Sequence, residues 1–163
     1  MGMSGNYFRT DESTVENIRR GAVALSDIIC DKAQKDNIVD IDKAWHALHF
    51  TLAGNAYGGD DDNILSRLVL SGNMLMEGDE EFSPMLISAS DVKAMVPALA
   101  ALTREDFRER FDVEQMLEND IYPVTEDDDE EDFFDYVWDA VEELREFFEE
   151  AAKEDQAVIF YMA

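Results

Sequence analysis

Basic residues are scarce in this sequence. Only 13 Lys and Arg stand against 39 Asp and Glu, so the formal net charge is −26 over 163 residues. A surface of this charge repels the phosphates of nucleic acids and the headgroups of anionic lipids, which excludes both as expected partners. The partner that the charge favours is a basic protein.

Cysteine is also scarce, and its single occurrence excludes an internal disulfide bond. This usage is typical of a reducing cytoplasm, where we expect the protein to be located. Cys30 follows an apolar-leaning run, residues 24–29, and has no neighbouring base in the sequence. We therefore predict a buried structural thiol rather than a nucleophile.

Long hydrophobic segments are absent. No apolar run approaches the ~20 residues needed to cross a bilayer. The first nine residues lack the basic and apolar regions of a signal peptide. We expect a protein that is neither exported nor embedded in a membrane.

Catalytic motifs are missing as well. The sequence contains no Gly-x-Ser-x-Gly, no Gly-x-Gly-x-x-Gly, no P-loop and no Cys-x-x-Cys. Ser90 and Lys93 match the short Ser-x-x-Lys pattern, but no Ser-Asp-Asn or Lys-Thr-Gly accompanies it, so we interpret Ser90 as a helix N-cap. A non-enzymatic protein is therefore favoured over an enzyme.

Histidine and cysteine, the nitrogen and sulfur ligands of metals, are few. His46 and His49 lie three residues apart, where two rings on a helix can share a face, and Asp42 lies one turn earlier. The pattern lacks the His-Glu-x-x-His form, and the acidic residues 60–62 lack the order of an EF-hand loop, so we predict no metal and no cofactor. We expect His49 to be partly buried beside Trp45 and hydrogen-bonded through one ring nitrogen, and His46 to lie on the surface.

The composition predicts one folded domain over residues 1–163. Hydrophobic residues make up 46% of the chain and aromatic ones 10%, which is too many for a disordered acidic protein. β-prone runs predict strands at residues 4–10, 67–71, 85–88 and 157–162. The second and third are expected to pair as a loose hairpin, and the last, which is continuously apolar, is expected in the centre of the sheet.

Apolar residues at spacings of three and four predict the first helices. One is expected over residues 13–29, behind a capping box formed by Ser13 and Glu16. Another follows residues 40–42 and ends at Gly54, a residue type that favours the C-terminal end of a helix.

Further helices are predicted in the second half of the chain. One begins at Ser90 and contains Pro97, which is expected to kink or divide it. The next begins at Thr103, with Asp106 in the position that completes a cap. Residues 113–119 are predicted to form one more turn.

Acidic residues concentrate near the end of the chain, where residues 118–155 contain 18 acidic and two basic side chains. The wholly acidic run 126–132 is expected to be a mobile loop or a fraying helix start. Beyond it, one apolar stripe predicts a long amphipathic helix. The stripe consists of Phe134, Val137, Trp138, Val141, Leu144, Phe148, Ala151 and Ala152.

Together these patterns predict an α+β fold. We expect a small mixed or antiparallel sheet of about four strands packed against several helices, with a long acidic amphipathic C-terminal helix followed by a final strand. Five glutamates on the polar side of that helix are the predicted contacts for a basic partner: Glu142, Glu143, Glu146, Glu149 and Glu150.

Several segments resemble one bacterial family. They are Met-Gly-Met at 1–3, Gly-Asn-Tyr-Phe-Arg at 5–9, Asp-Ile-Asp-Lys-Ala-Trp-His-Ala-Leu-His-Phe-Thr-Leu-Ala-Gly at 40–54, Phe-Asp at 111–112 and Ile-Tyr-Pro at 121–123. In this order they are similar to the YfbM-like family almost from end to end. The resemblance implies a small cytosolic bacterial α+β domain of unknown function, with no established catalytic residues to transfer.

The resemblance also directs attention to five residues that combine carboxylates, an imidazole and amphipathic aromatic rings. They are Asp40, Asp42, Trp45, His49 and Tyr122. Such a set is suited to a small-ligand pocket. It is equally suited to joining a helix to the sheet through buried hydrogen bonds, which is the interpretation we favour.

Two functional hypotheses follow, from different classes. The first is a non-enzymatic interaction protein, monomeric or a small homo-oligomer, that binds a basic protein; an immunity protein against a basic nuclease toxin is its concrete form. The second is a small enzyme or ligand-binding protein with a pocket around His49, Trp45 and Asp42. Adaptation of the host to high salt would explain the acidity without a partner and ranks third.

Overall fold

An antiparallel sheet forms the centre of the computed structural model, which describes residues 2–76 and 84–163. Within these residues the sheet has four strands in the order β2-β1-β4-β3. The strands are β1 (Gly5–Thr10), β2 (Ile38–Asp40), β3 (Met85–Ile87) and β4 (Ala157–Met162). The predicted α+β class is confirmed, and the final strand lies in the interior of the sheet as predicted.

The first and last strands pair along their whole length, from Gly5 opposite Met162 to Thr10 opposite Ala157. Because successive side chains on a strand point to opposite faces, the sheet buries apolar residues on both sides. Tyr7 belongs to the core on one face, whereas Phe8 belongs to a second core on the other.

The larger core lies between the sheet and five α-helices of the described residues, of which the first lies in the first half of the chain and the other four in the second. Its helices are α3 (Trp45–Ala53), α4 (Ala89–Ala101), α5 (Arg104–Arg110), α6 (Val113–Glu118) and α7 (Glu130–Lys153). The predicted long amphipathic helix is α7, which begins after the N-cap Asp129 and buries its apolar stripe. Gly54 ends α3 in a left-handed conformation (φ 81°), as the sequence predicts.

The smaller core is covered by α1 (Glu12–Arg19), α2 (Leu25–Ile29) and a 3₁₀ helix, Lys32–Asn37. The prediction of one helix over residues 13–29 is wrong. Gly21 adopts a left-handed conformation (φ 76°), and the chain turns there before α2 begins.

The N-terminal cap of α1 also differs from the prediction. Asp11, rather than Ser13, is the N-cap residue, and its carboxylate accepts a hydrogen bond from the backbone N–H of Thr14 at 2.8 Å. This contact holds the pKa of Asp11 below its usual value, because a hydrogen bond to the carboxylate favours the charged form.

Residues 67–71 do not form the predicted strand. A 3₁₀ helix, Ile64–Arg67, leads into this segment, and Leu68 and Val69 are fully buried in the larger core. The backbone oxygen of Leu68 accepts a hydrogen bond from the Tyr7 hydroxyl at 3.0 Å. The predicted hairpin is therefore wrong, and β3 pairs with β4 instead.

The N-cap of α4 lies two residues earlier than predicted. Ser88 is the N-cap and accepts from the backbone N–H of Asp91 at 3.2 Å, whereas Ser90 lies inside the helix. The helix continues through Pro97, so of the two predicted outcomes, a kink or a division, the division does not occur. The cap of α5 is as predicted, with Thr103 accepting from the N–H of Asp106 at 3.1 Å.

The thiol of Cys30 is exposed rather than buried. Its position follows from the end of α2, where Cys30 is the C-terminal cap residue. The apolar run before it packs against the smaller core through Leu25, Ile28 and Ile29, and the chain has turned away from that core by Cys30.

Over the two described ranges, no helix combines the length and the apolar character needed to cross a membrane.

Candidate functional site

The segment that leads into α3 carries two of the predicted site residues. The Asp40 carboxylate accepts a hydrogen bond from the backbone N–H of Asp42 at 2.7 Å. Asp42 has a left-handed backbone (φ 52°) at the start of a 3₁₀ helix, Asp42–Ala44, and its carboxylate accepts from the hydroxyls of Ser4 (3.2 Å) and Tyr136 (2.8 Å). The two carboxylates thus hold the entry to α3 against β1 and α7.

Tyr136, on α7, completes this set of contacts. Its hydroxyl oxygen accepts a hydrogen bond from the backbone N–H of Lys43 at 2.9 Å while its proton is donated to Asp42. Burial, together with the Asp42 carboxylate, raises the pKa of Tyr136 to about 12. The Tyr136 hydroxyl therefore stays protonated, and can donate its hydrogen bond, at neutral pH.

Trp45 and Tyr122 both bind the backbone of Met3. The indole N–H of Trp45 donates to the Met3 oxygen at 3.0 Å, and the Met3 N–H donates to the Tyr122 hydroxyl at 2.9 Å. The two rings stack with their centroids 6.0 Å apart. Their polar atoms therefore fix the segment before β1 against α3.

His46 is buried and joins the same network. The backbone N–H of Tyr122 donates to its Nδ1 at 2.9 Å, and its Nε2 lies 3.0 Å from the oxygen of Ala56. Since Nδ1 is an acceptor, Nε2 must carry the proton and donate it to Ala56. Burial lowers the pKa of His46, which keeps this tautomer neutral. The prediction that His46 lies on the surface is wrong.

His49 is equally buried, with 1% of its surface exposed, but neither of its ring nitrogens has a hydrogen-bond partner within the described residues. The Gly58 backbone lies near the ring but outside hydrogen-bond geometry, so the predicted hydrogen bond through a ring nitrogen is wrong. Burial lowers the pKa of His49 to about 4, an effect that the Gly58 backbone opposes and His46 strengthens.

Four of the five predicted residues therefore meet around Met3 and Ser4, and His49 lies outside their network. Their polar atoms are engaged with other parts of the protein, as in a buried set of structural hydrogen bonds. No observation favours a ligand pocket around His49, Trp45 and Asp42, because the His49 ring is sealed in the core. Among the residues described, no three His, Cys, Asp or Glu side chains are grouped to hold a metal ion.

The five predicted glutamates lie on the exposed side of α7, together with two aspartates from earlier turns. We call this surface the acidic face; its residues are Asp135, Asp139, Glu142, Glu143, Glu146, Glu149 and Glu150. Glu142 accepts from the indole N–H of Trp138 at 2.8 Å, and Glu150 forms an ion pair with Lys153 at 3.2 Å. Asp135 pairs with Arg104 of α5.

Beside the acidic face, a groove of about 320 Å³ lies between α7 and the edge strand β2. Ile38, Val39 and Phe147 supply apolar surface, and Glu143, Glu146 and Glu150 supply carboxylates. Arg9 also lines the groove, where its guanidinium donates to the side chain of Gln156 at 2.8 Å.

A family model described as "Domain of unknown function (DUF1877)" matches residues 1–161. The chain belongs to this family. The DUF1877 chain is 30% identical to "Protein YfbM" of Escherichia coli (strain K12) over 125 residues, which are 76% of this chain and 74% of the relative. It superposes on the crystal structure of a protein of unknown function, YfbM from Escherichia coli, with a TM-score of 0.74 and 22% identity, over 98% of this chain and 99% of that one. The YfbM-like resemblance is confirmed.

Sequence reasoning on this DUF1877 chain missed two members of the network, His46 and Tyr136. Tyr136 lies at the border of the α7 stripe, and its spacing alone does not distinguish a packing role from a hydrogen-bonding one. His46 follows Trp45 on a helix that is buried on all sides from Trp45 to Leu52, so the pattern contains no polar face to place it by.

Proposed function

We propose that this DUF1877 protein is a non-enzymatic interaction module that binds a basic protein through the acidic face of α7. Its concrete form is an immunity-type protein that neutralises a basic partner, such as a nuclease toxin, by occupying the partner's cationic surface. In this role the protein needs complementary charge and no catalytic residue.

The observation that carries the proposal is that most carboxylates of the acidic face lack a compensating cation in the described part of the chain, whereas Asp135 and Glu150 have one. Asp139, Glu143, Glu146 and Glu149 have no ion-pair partner among the described residues. Burial raises the pKa of Glu143, and the charges of Asp139 and Asp40 raise it further. A Lys or Arg side chain from a partner would relieve this repulsion, so the uncompensated charge favours the bound state.

The groove between α7 and β2 supplies the second part of the argument. A long basic side chain buries its aliphatic stem against apolar surface and keeps its charged head near carboxylates. Ile38, Val39 and Phe147 match the stem, and Glu143 and Glu146 match the head. Anchors of this kind, above all Arg, contribute most of the energy at protein interfaces.

The first test is affinity capture from a lysate of the source bacterium at low and at high salt, with the bound proteins identified by mass spectrometry. We expect one stoichiometric basic protein whose retention falls with salt, since exposed charges are screened within about 8 Å at physiological ionic strength. Recovery of no basic protein, or retention that salt leaves undiminished, would contradict the proposal.

A pair of matched variants then locates the interface. Glu143→Gln with Glu146→Gln removes two charges from the acidic face, and Glu105→Gln with Glu109→Gln removes two exposed charges from α5. Calorimetric titration with the captured partner should show at least a tenfold weaker Kd for the first pair, the order expected for charge pairs at an interface. If both double variants weakened binding equally, the effect would be one of net charge alone. The acidic face would then be rejected as the binding surface.

A further inference from the structure

A cavity of about 520 Å³ lies on the other side of the sheet from α7, between β1 and the two helices that cover the smaller core. Its volume falls within the range of about 300–1,000 Å³ typical of small-molecule sites. It shares no residue with the groove or the acidic face, so an inference about it is independent of the proposed function.

The floor of the cavity is formed by β1. Phe8 and Thr10 alternate along the strand and so point to the same side of the sheet. Thr10 is 8% exposed, yet its hydroxyl has no hydrogen-bond partner in the described parts of the chain. The Thr10 hydroxyl is reached by solvent through the cavity, which is large enough to admit a ligand in place of water.

The walls offer hydrogen-bond donors. Asn17 and Gln34 are half-buried, and their side-chain oxygens already accept from Arg20 at 2.7 Å and from Asn37 at 2.9 Å. The amide N–H groups of Asn17 and Gln34 are left as donors for the acceptor atoms of a polar molecule.

The rim carries negative charge. Asp27 and Asp31 line the cavity, are exposed, and are four residues apart at the end of α2. Asp31 uses one carboxylate oxygen to accept from the backbone N–H of Ala33 at 2.9 Å, whereas Asp27 has no partner within residues 2–76 and 84–163. These two carboxylates favour a ligand with a cationic group at the rim.

We propose that this cavity binds a small hydroxylated primary amine, of the amino-sugar or amino-alcohol class. The ammonium group bonds to Asp27 and Asp31 at the rim. The hydroxyl groups bond to Thr10 on the floor and to the amides of Asn17 and Gln34, while the carbon skeleton packs on Phe8. This arrangement gives the ligand a partner at the rim, on the walls and on the floor of the cavity.

The probe is glucosamine, titrated into the ¹⁵N-labelled full chain at physiological salt and followed by amide chemical shifts. We expect saturable shifts for residues of β1, α1 and α2, and weaker binding of two matched molecules. Glucose keeps the hydroxyls without the charge, and cyclohexylamine keeps the charge and the ring without the hydroxyls. Shifts that are absent or do not saturate, or equal binding of all three molecules, would overturn the proposal.

Variants separate this site from general attraction by an acidic surface. Asp27→Asn should weaken glucosamine binding about tenfold, as expected for loss of a hydrogen bond to a charged group. Asp36→Asn, which removes the same charge from an exposed residue outside the cavity, should leave binding unchanged. Thr10→Val keeps the shape of the floor and should also weaken binding. A loss as large for Asp36→Asn as for Asp27→Asn would overturn the proposal, whether or not Thr10→Val folds.

Discussion

The backbone N–H of Tyr122 donates a hydrogen bond of 2.9 Å to Nδ1 of His46, and this contact fixes the imidazole proton on Nε2. The same ring then donates to Ala56, in the loop that follows α3. One neutral histidine thereby joins α3 to the loop ten residues further on and to Tyr122, which is 76 residues away in sequence. It can do so because the ring presents an acceptor on one side and a donor on the other.

Replacing His46 with Leu should destabilise the protein by about 2 kcal/mol, because the Tyr122 N–H and the Ala56 oxygen both lose their partner. Urea denaturation at neutral pH measures the change. His46→Asn should lose less, since its side-chain oxygen can still accept near the position of Nδ1. Equal losses for the two variants would indicate that packing, rather than the hydrogen bond from Tyr122, sets the role of the ring.

His49 should make the protein sensitive to acid. Its pKa is about 4 in the folded state, against 6.5 for an unburied histidine, so the unfolded chain takes up a proton first as the pH falls. The corresponding stability is fully present above pH 6.5 and is lost between pH 6.5 and 4, by roughly 3 kcal/mol.

His49→Leu tests this by urea denaturation at several pH values. The variant should be at least as stable as the natural chain at pH 7, because it replaces two unpaired buried nitrogens with apolar surface. Its stability should fall less steeply below pH 6.5. Parallel pH profiles for the two proteins would show that His49 does not titrate on unfolding.

Tyr136→Phe should cost about 1 kcal/mol, because it removes the hydroxyl that joins Asp42 to the Lys43 backbone. Thermal unfolding compared with Tyr57→Phe provides the measurement. Tyr57 is 65% exposed, so its hydroxyl is expected to contribute little. A loss of similar size at both positions would contradict a specific role for the Tyr136 hydroxyl.

Glu143→Gln should raise the melting temperature at low salt. The pKa of Glu143 is raised by burial and by Asp139 and Asp40, so its charged form destabilises the fold and neutralising it removes that penalty. For the same reason the natural chain should gain stability from this residue as the pH falls through its folded pKa. In concentrated salt the difference in melting temperature should shrink, and a gain unaffected by salt would point to packing instead.

Periodicity predicted α7, in which one face is buried and the other exposed, from the apolar stripe that begins at Phe134. A continuous apolar run predicted β4, which is buried on both faces of the sheet. A similar run at residues 68–70 led to a wrong prediction. Leu68 and Val69 are fully buried without forming a strand, because an apolar run reports burial and not backbone geometry.

The sequence predicts one helix over residues 13–29, in place of α1 and α2, for a related reason. Val15, Ile18 and Leu25 all pack against the smaller core, so their spacing continues across the turn at Gly21. The candidate site was predicted in the same partial way. The family resemblance directed attention to Asp42, Trp45 and Tyr122, and the structure brings them together near Met3 and Ser4. The contacts of His46 and His49 depend on tertiary structure that no local pattern encodes.

The position of β4 has a consequence for the newly synthesised chain. Of the strands described, β4 is the last to be made, yet it separates β1 from β3 and is paired with both. On the ribosome, β1 is made almost a whole chain length before β4, and its pairing with β4 is delayed by on the order of 10 s at ordinary rates of translation. Until β4 is made, β1 lacks its central neighbour, so the unfinished sheet leaves an unpaired strand edge beside the apolar side chains of Tyr7 and Phe8.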